Sequence, residues 1–152
     1  HVNRWFLNRT HKECDFIGLN YYFPWTLGVH KNLPRSDMGW PIFPEGIYHT
    51  LRELARYKKP IYVTENGIAD ASDTKRASFI RDHVYWMHKA LNAGVDVRGY
   101  FYWSLLDNFE WAEGFEKRFG LLEMDYGTLE RRVRPSAYKY KKICESSAVT
   151  MP

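Results

Sequence analysis

The segment Ile61-Tyr-Val-Thr-Glu-Asn-Gly67 is a short β-branched, apolar run that ends on a carboxylate and is followed by Asn-Gly. Its composition predicts a buried strand, the Asn-Gly predicts a turn, and Glu65 is therefore expected at the strand's carboxyl end. In α/β sheets and barrels that end collects reacting side chains. A second run, Gly99-Tyr-Phe-Tyr-Trp-Ser-Leu-Leu-Asp-Asn-Phe-Glu-Trp111, opens into a segment where Trp103, Glu110 and Trp111 are expected to line a pocket. Together the two runs point to a carbohydrate site, because ring faces stack on sugar C–H surfaces while carboxylates bind hydroxyls.

Three strands are expected to carry these residues: Asp15–Tyr22, Pro60–Glu65 and Val97–Ser104. Their apolar residues are nearly continuous, the pattern of parallel strands covered on both faces. Pro44 suits a first helical turn, Ile47, Leu51, Leu54 and Ala55 recur at helical spacing, and Pro60 ends that helix. A second helix is expected from about Asp73, an N-cap residue, with Ile80, Val84, Met87 and Leu91 inward and Gly94 as its C-terminal cap. A third starts near Pro135 and turns Ala137, Tyr140, Ile143 and Cys144 inward, while residues 119–134 read as a hairpin turning at Gly127-Thr128. Successive βα units of this kind argue for part of a (β/α) barrel or an open α/β sheet.

Aromatic residues make up 17% of the 152-residue chain, more than a core of this length needs; sugar stacking and ordinary packing both account for the excess. The net charge of +4 comes from basic residues scattered among acids, which argues against a nucleic-acid surface. Cys14 and Cys144 lie far apart without metal-ligand neighbours, and the spacing of His83 and His88 is poor for a metal, so no metal or cofactor is expected. Two thiols suggest a reducing compartment with buried or inert cysteines. With no signal-like start and no apolar run of ~20 residues, the expected location is cytoplasmic, away from membranes.

The segments Asp15-Phe-Ile-Gly-Leu-Asn-Tyr-Tyr22, Tyr62-Val-Thr-Glu-Asn-Gly67 and Gly99 to Gly120 resemble, in order and spacing, the carboxyl-terminal third of glycoside hydrolase family 1. That family comprises retaining β-glucosidases and β-glycosidases on a TIM barrel. The resemblance implies a partial (β/α)8 barrel: residues 1–152 as a single incomplete segment with three βα units, those of strands six to eight, plus an irregular hairpin. It implies that Glu65 is the nucleophile and that Tyr22 is the phenol hydrogen-bonded to it. Asn20 joins that cluster, Trp103 underlies the sugar, Glu110 and Trp111 grip its far hydroxyls, Phe119 closes the pocket, and Trp40 lines the aglycone side. Blander roles compete: core packing for Tyr22, Trp103 and Phe119, an ion pair with Lys117 or Arg118 for Glu110, and a helix-end cover for Trp40.

Retaining hydrolysis needs two carboxyl groups about 5–5.5 Å apart. The acid/base of the family sits in an Asn-Glu-Pro motif that this sequence does not contain. Three strands also cannot close an eight-stranded barrel, so the runs at 15–22 and 97–104 are expected to present open edges. The chain begins at His1, which favours a piece of something longer or a processed protein. The expected partners are a β-glucoside or β-galactoside and either a complementary amino-terminal barrel chain or further copies of this one. The competing function is a non-catalytic sugar-binding or structural barrel fragment that self-assembles.

Overall fold

The computed structural model describes residues 2–24 and 32–149. Strands β1 (Ile17–Asn20), β2 (Ile61–Asn66) and β3 (Val97–Tyr102) form one parallel sheet in the order β1-β2-β3, with no closed barrel. Helices α2 (Glu45–Leu54) and α3 (Arg76–Asn92) provide the crossovers, and α4 (Pro135–Ser146) follows a short antiparallel hairpin of β4 (Leu122–Met124) and β5 (Arg131–Val133). A first helix, α1 (Val2–Thr10), precedes the sheet and was not signalled by the sequence. It is polar along most of its length, and it is tied down by Arg4 on Glu53 and by the Tyr57 hydroxyl donating to Asn8.

The helices cover one face of the sheet. Ile17, Leu19, Ile61, Val63 and Val97 point into a core with Ile47 and Leu51 of α2 and Ala90 of α3. A second core joins Ile68, Phe79, Ile80, Val84, Tyr102 and Leu121 to Ala137, Tyr140 and Ile143 of α4. The other face is open: Phe16 is 52% exposed and Phe101 58% exposed. The apolar runs suit strands covered on both faces, but three strands alone leave the side toward the barrel axis with few packing partners. Burial along β1 alternates, because among the described residues nothing covers the side that a complete barrel would enclose.

Several local expectations are also corrected. Leu91 is exposed, and Ala90 takes the inward position. Cys144 is exposed and Cys14 only partly buried. Asp73 does not cap α3: the Asp70 carboxylate accepts from the backbone N–H of Lys75 and Arg76 at 2.8 and 3.0 Å. Asp73 turns instead to Arg76 and to Ser136 at the start of α4. The hairpin arms are shorter than expected, since Leu121 donates to Ser104 and Leu122 to Leu105, which draws residues 119–121 onto the end of β3. Gly94, at φ +87, does end α3, in a left-handed geometry that glycine adopts freely.

Candidate active site

The carboxyl ends of the three strands converge on Glu65. Its carboxylate Oε2 accepts a 2.8 Å hydrogen bond from the Tyr22 hydroxyl, and its backbone carbonyl accepts from Tyr21 N–H at 2.8 Å. Rings wall the phenol. Trp40 lies 5.6 Å from the Tyr22 ring and 6.2 Å from Phe119, and Phe119 lies 6.3 Å from Tyr22, centroid to centroid. Trp40 is therefore packed into this cluster.

Glu110 belongs to the same electrostatic neighbourhood. Burial raises its carboxyl above the ordinary range; an indole N–H of Trp103 opposes that, and Glu65 and Glu113 push it further up. No ion pair joins Glu110 to Lys117 or Arg118: Lys117 faces Glu113 and Arg118 faces Asp107. Tyr22 stays protonated far above the usual phenol range, first through burial and then because its proton is shared with Glu65. The site thus holds two carboxylates that repel one another, one phenol donor and one indole donor, inside an aromatic wall.

The remaining residues lie at its margin. Asn20 is exposed, and its Oδ1 accepts from the Thr64 hydroxyl at 2.7 Å, which leaves its amide N–H groups as donors. Trp111 is 82% exposed and has no ring contact with the cluster among the described residues. The expected Asn66-Gly67 turn does not form. The strand continues through Asn66, and Gly67 is required by close approach: a Cβ there would lie 1.8 Å from the carbonyl oxygen of Trp103. The peptide between Trp103 and Ser104 is cis.

Two buried polar groups escaped the sequence reading. Asn66, fully buried, donates to Tyr21 O at 2.6 Å and accepts from the Tyr100 hydroxyl at 2.7 Å. Asp107, beneath the loop that carries Glu110, accepts from Arg134 at 3.0 and 3.1 Å and from the N–H groups of Gly120 and Met124 at 2.8 and 3.2 Å. An acid at the end of a buried run was the available signal for Asp107; its partner Arg134 is too distant in sequence to be paired by spacing. Among the described residues, no group of three or more His, Cys, Asp or Glu is arranged to hold a metal ion. Among them too, no helix is long and apolar enough to cross a membrane.

The sequence model described as Glycosyl hydrolase family 1 matches residues 26–149. The β-galactosidase of Saccharolobus solfataricus is 45% identical over 91% of this chain, which covers 33% of that protein. The solved β-glycosidase from Pyrococcus horikoshii superposes with a TM-score of 0.83 at 45% identity, over 91% of this chain and 36% of its own. The β-glucosidase from Thermotoga maritima in complex with glucoimidazole gives 0.80 at 39% identity, over 89% and 35%. The chain spans about a third of the length of the curated relatives it matches.

Proposed function

The chain belongs to glycosyl hydrolase family 1, and from that membership we propose that residues 1–152 are one barrel segment bearing the nucleophile side of a retaining β-glycosidase. The observation that carries this reading is the Tyr22–Glu65 hydrogen bond at the strand ends, beside the rings of Trp40 and Phe119 and near a second acid. The phenol occupies Oε2 and fixes the carboxylate, so the other oxygen is presented to a sugar with a defined lone-pair direction.

In the first step Glu65 attacks the anomeric carbon. A glutamate supplied from outside this chain gives its proton to the leaving oxygen as the glycosidic C–O bond breaks, and a glycosyl ester remains on Glu65. That glutamate then takes a proton from water, whose oxygen displaces Glu65 at the same carbon; two inversions restore the β configuration. Trp103, Phe119 and Trp40 offer apolar ring faces that exclude water from the developing oxocarbenium ion. Glu110, with Trp111 and the Asn20 amide, would bind hydroxyls of a gluco- or galacto-configured glycone through charge-assisted bonds. The relatives' printed activities, β-galactosidase and β-glucosidase, support that substrate class. A cytoplasmic location fits the two unpaired thiols.

The test combines this chain with the missing barrel strands, as a complementary chain, and measures release from an aryl β-glucoside. Turnover that disappears on Glu65→Gln is expected; no turnover from any such complex would contradict the reading. The exposed faces of Phe16 and Phe101 favour one alternative, in which copies of the chain cover one another and hold a sugar without cleaving it. Under that alternative the chain alone would be oligomeric by light scattering and would bind glucose without any partner.

A further inference from the structure

Strand β2 breaks its own alternation at the residue it delivers. Ile61 and Val63 are buried toward the helices, so strict alternation would send Glu65 back among them. Instead Thr64 and Glu65 are both only partly buried, and Asn66 is the fully buried residue. The ladders give the reason. Against β1, Leu19 pairs with Val63 but Asn20 with Glu65, so Thr64 is passed over. Against β3, Val63 faces Tyr100 and Asn66 faces Tyr102, so Thr64 and Glu65 together oppose Phe101. This is a β-bulge, and it turns Glu65 toward Tyr22.

The lock on the bulge is the side chain of Asn66. Its Nδ2 donates to Tyr21 O at 2.6 Å, its Oδ1 accepts from the Tyr100 hydroxyl at 2.7 Å, and its backbone carbonyl accepts from Trp103 N–H at 2.9 Å. One buried amide thus joins the ends of all three strands. Tyr21 is the shared point: its N–H holds the Glu65 carbonyl, its carbonyl holds Asn66, and the next residue, Tyr22, reaches the Glu65 carboxylate. The Tyr21 ring is itself pinned, since its hydroxyl donates to Phe43 O at 2.8 Å.

We propose that Asn66 and Tyr100 are positioning residues that hold this bulge, and through it the Tyr22–Glu65 hydrogen bond, without touching substrate. The functional meaning rests on the reading of Glu65 as the nucleophile, but the geometry is tested without turnover, so the two can fail separately. The readout is the solvent exchange rate of the Tyr22 hydroxyl proton, followed by NMR on the chain labelled with 13Cζ-tyrosine, from the isotope-split Cζ signal in mixed H2O and D2O. Tyr100→Phe and Asn66→Ala are expected to speed that exchange at least tenfold. Tyr140→Phe, which loses a different bond to the same strand, the 3.3 Å contact to Tyr100 O, is expected to leave it unchanged. If Asn66→Ala does not fold, Tyr100→Phe carries the test, because its ring stays in place. Unchanged exchange in folded Tyr100→Phe, or equal acceleration in Tyr140→Phe, would overturn the proposal.

Discussion

Two charged clusters sit at the same end of one sheet and obey opposite rules. Around Asp107 and Arg76 every charge is matched. Asp107 is fully buried and takes both terminal nitrogens of Arg134 and two backbone N–H groups, with Arg118 nearby. Arg76 is equally buried and spends its nitrogens on Asp73, the Tyr102 hydroxyl and the carbonyls of Asp70 and Arg118. Around Glu65 and Glu110, two acids have one phenol and one indole between them, and burial and then Glu65 raise the cost of charge on Glu110. The first cluster is complete in itself and holds the loops that carry Phe119 and Glu110. The second has acceptor capacity left over, which is what a site for a hydroxyl-rich, transiently cationic ligand needs.

The difference can be broken from either side. Asp107→Ala strands Arg134 in the interior and is expected to cost about 3–5 kcal/mol in urea unfolding. Glu65→Ala removes a charge from a partly exposed position, and its stability is expected to stay within about 1 kcal/mol of the parent. Equal losses in the two variants would erase the distinction between frame and site.

His83 sharpens the comparison with pH. It lies on the frame side, fully buried, its Nδ1 2.7 Å from Phe79 O and its Nε2 without a partner among the described residues, and burial lowers it to about 4 from 6.5. The folded core disfavours the charged ring, so between these two values the unfolded chain binds the extra proton. Stability is therefore full above 6.5 and falls as pH drops toward about 4, by roughly 3 kcal/mol. His83→Gln should flatten that slope in denaturation curves taken across this range; an unchanged slope would remove His83 as its source.

Gly67→Ala pushes a Cβ against the Trp103 carbonyl and is expected to cost about 1–3 kcal/mol by thermal unfolding. Glu110→Gln is the smallest change and has the opposite sign. Because burial and Glu65 disfavour its charge, the penalty appears as pH rises above 4.5, so the amide should gain less than about 1 kcal/mol at neutral pH and nothing in acid. Asp70 runs the other way. Burial would raise it, but the N–H groups of Lys75 and Arg76 and the Ser72 hydroxyl lower it below 3.8, so its contribution is present above that value and lost as pH falls. A gain for Asp70→Asn at neutral pH would break the contrast.

Much of the frame was legible in the sequence. The three strands and the crossover helices α2 and α3 announce themselves through apolar runs, Pro44, Pro60 and Gly94, and Glu65 through its place after such a run. The bulge was not legible, because alternation along β2 is broken only by its pairing with β1 and β3. Asp70 was hidden as a cap because it acts across a loop rather than from the position before the helix. The exposure of Phe16 and Phe101 follows from three strands being too few to close a barrel, which leaves that side of the sheet without packing partners.

The most direct measurement places this chain in the matching third of the Saccharolobus solfataricus β-galactosidase and treats the chimera with an activated 2-deoxy-2-fluoro-β-glucoside. Peptide mapping by mass spectrometry should find one fluoroglycosyl group, esterified to Glu65, and none in the Glu65→Gln chimera. A label on any other residue, or substantial turnover retained by Glu65→Gln, would contradict the account.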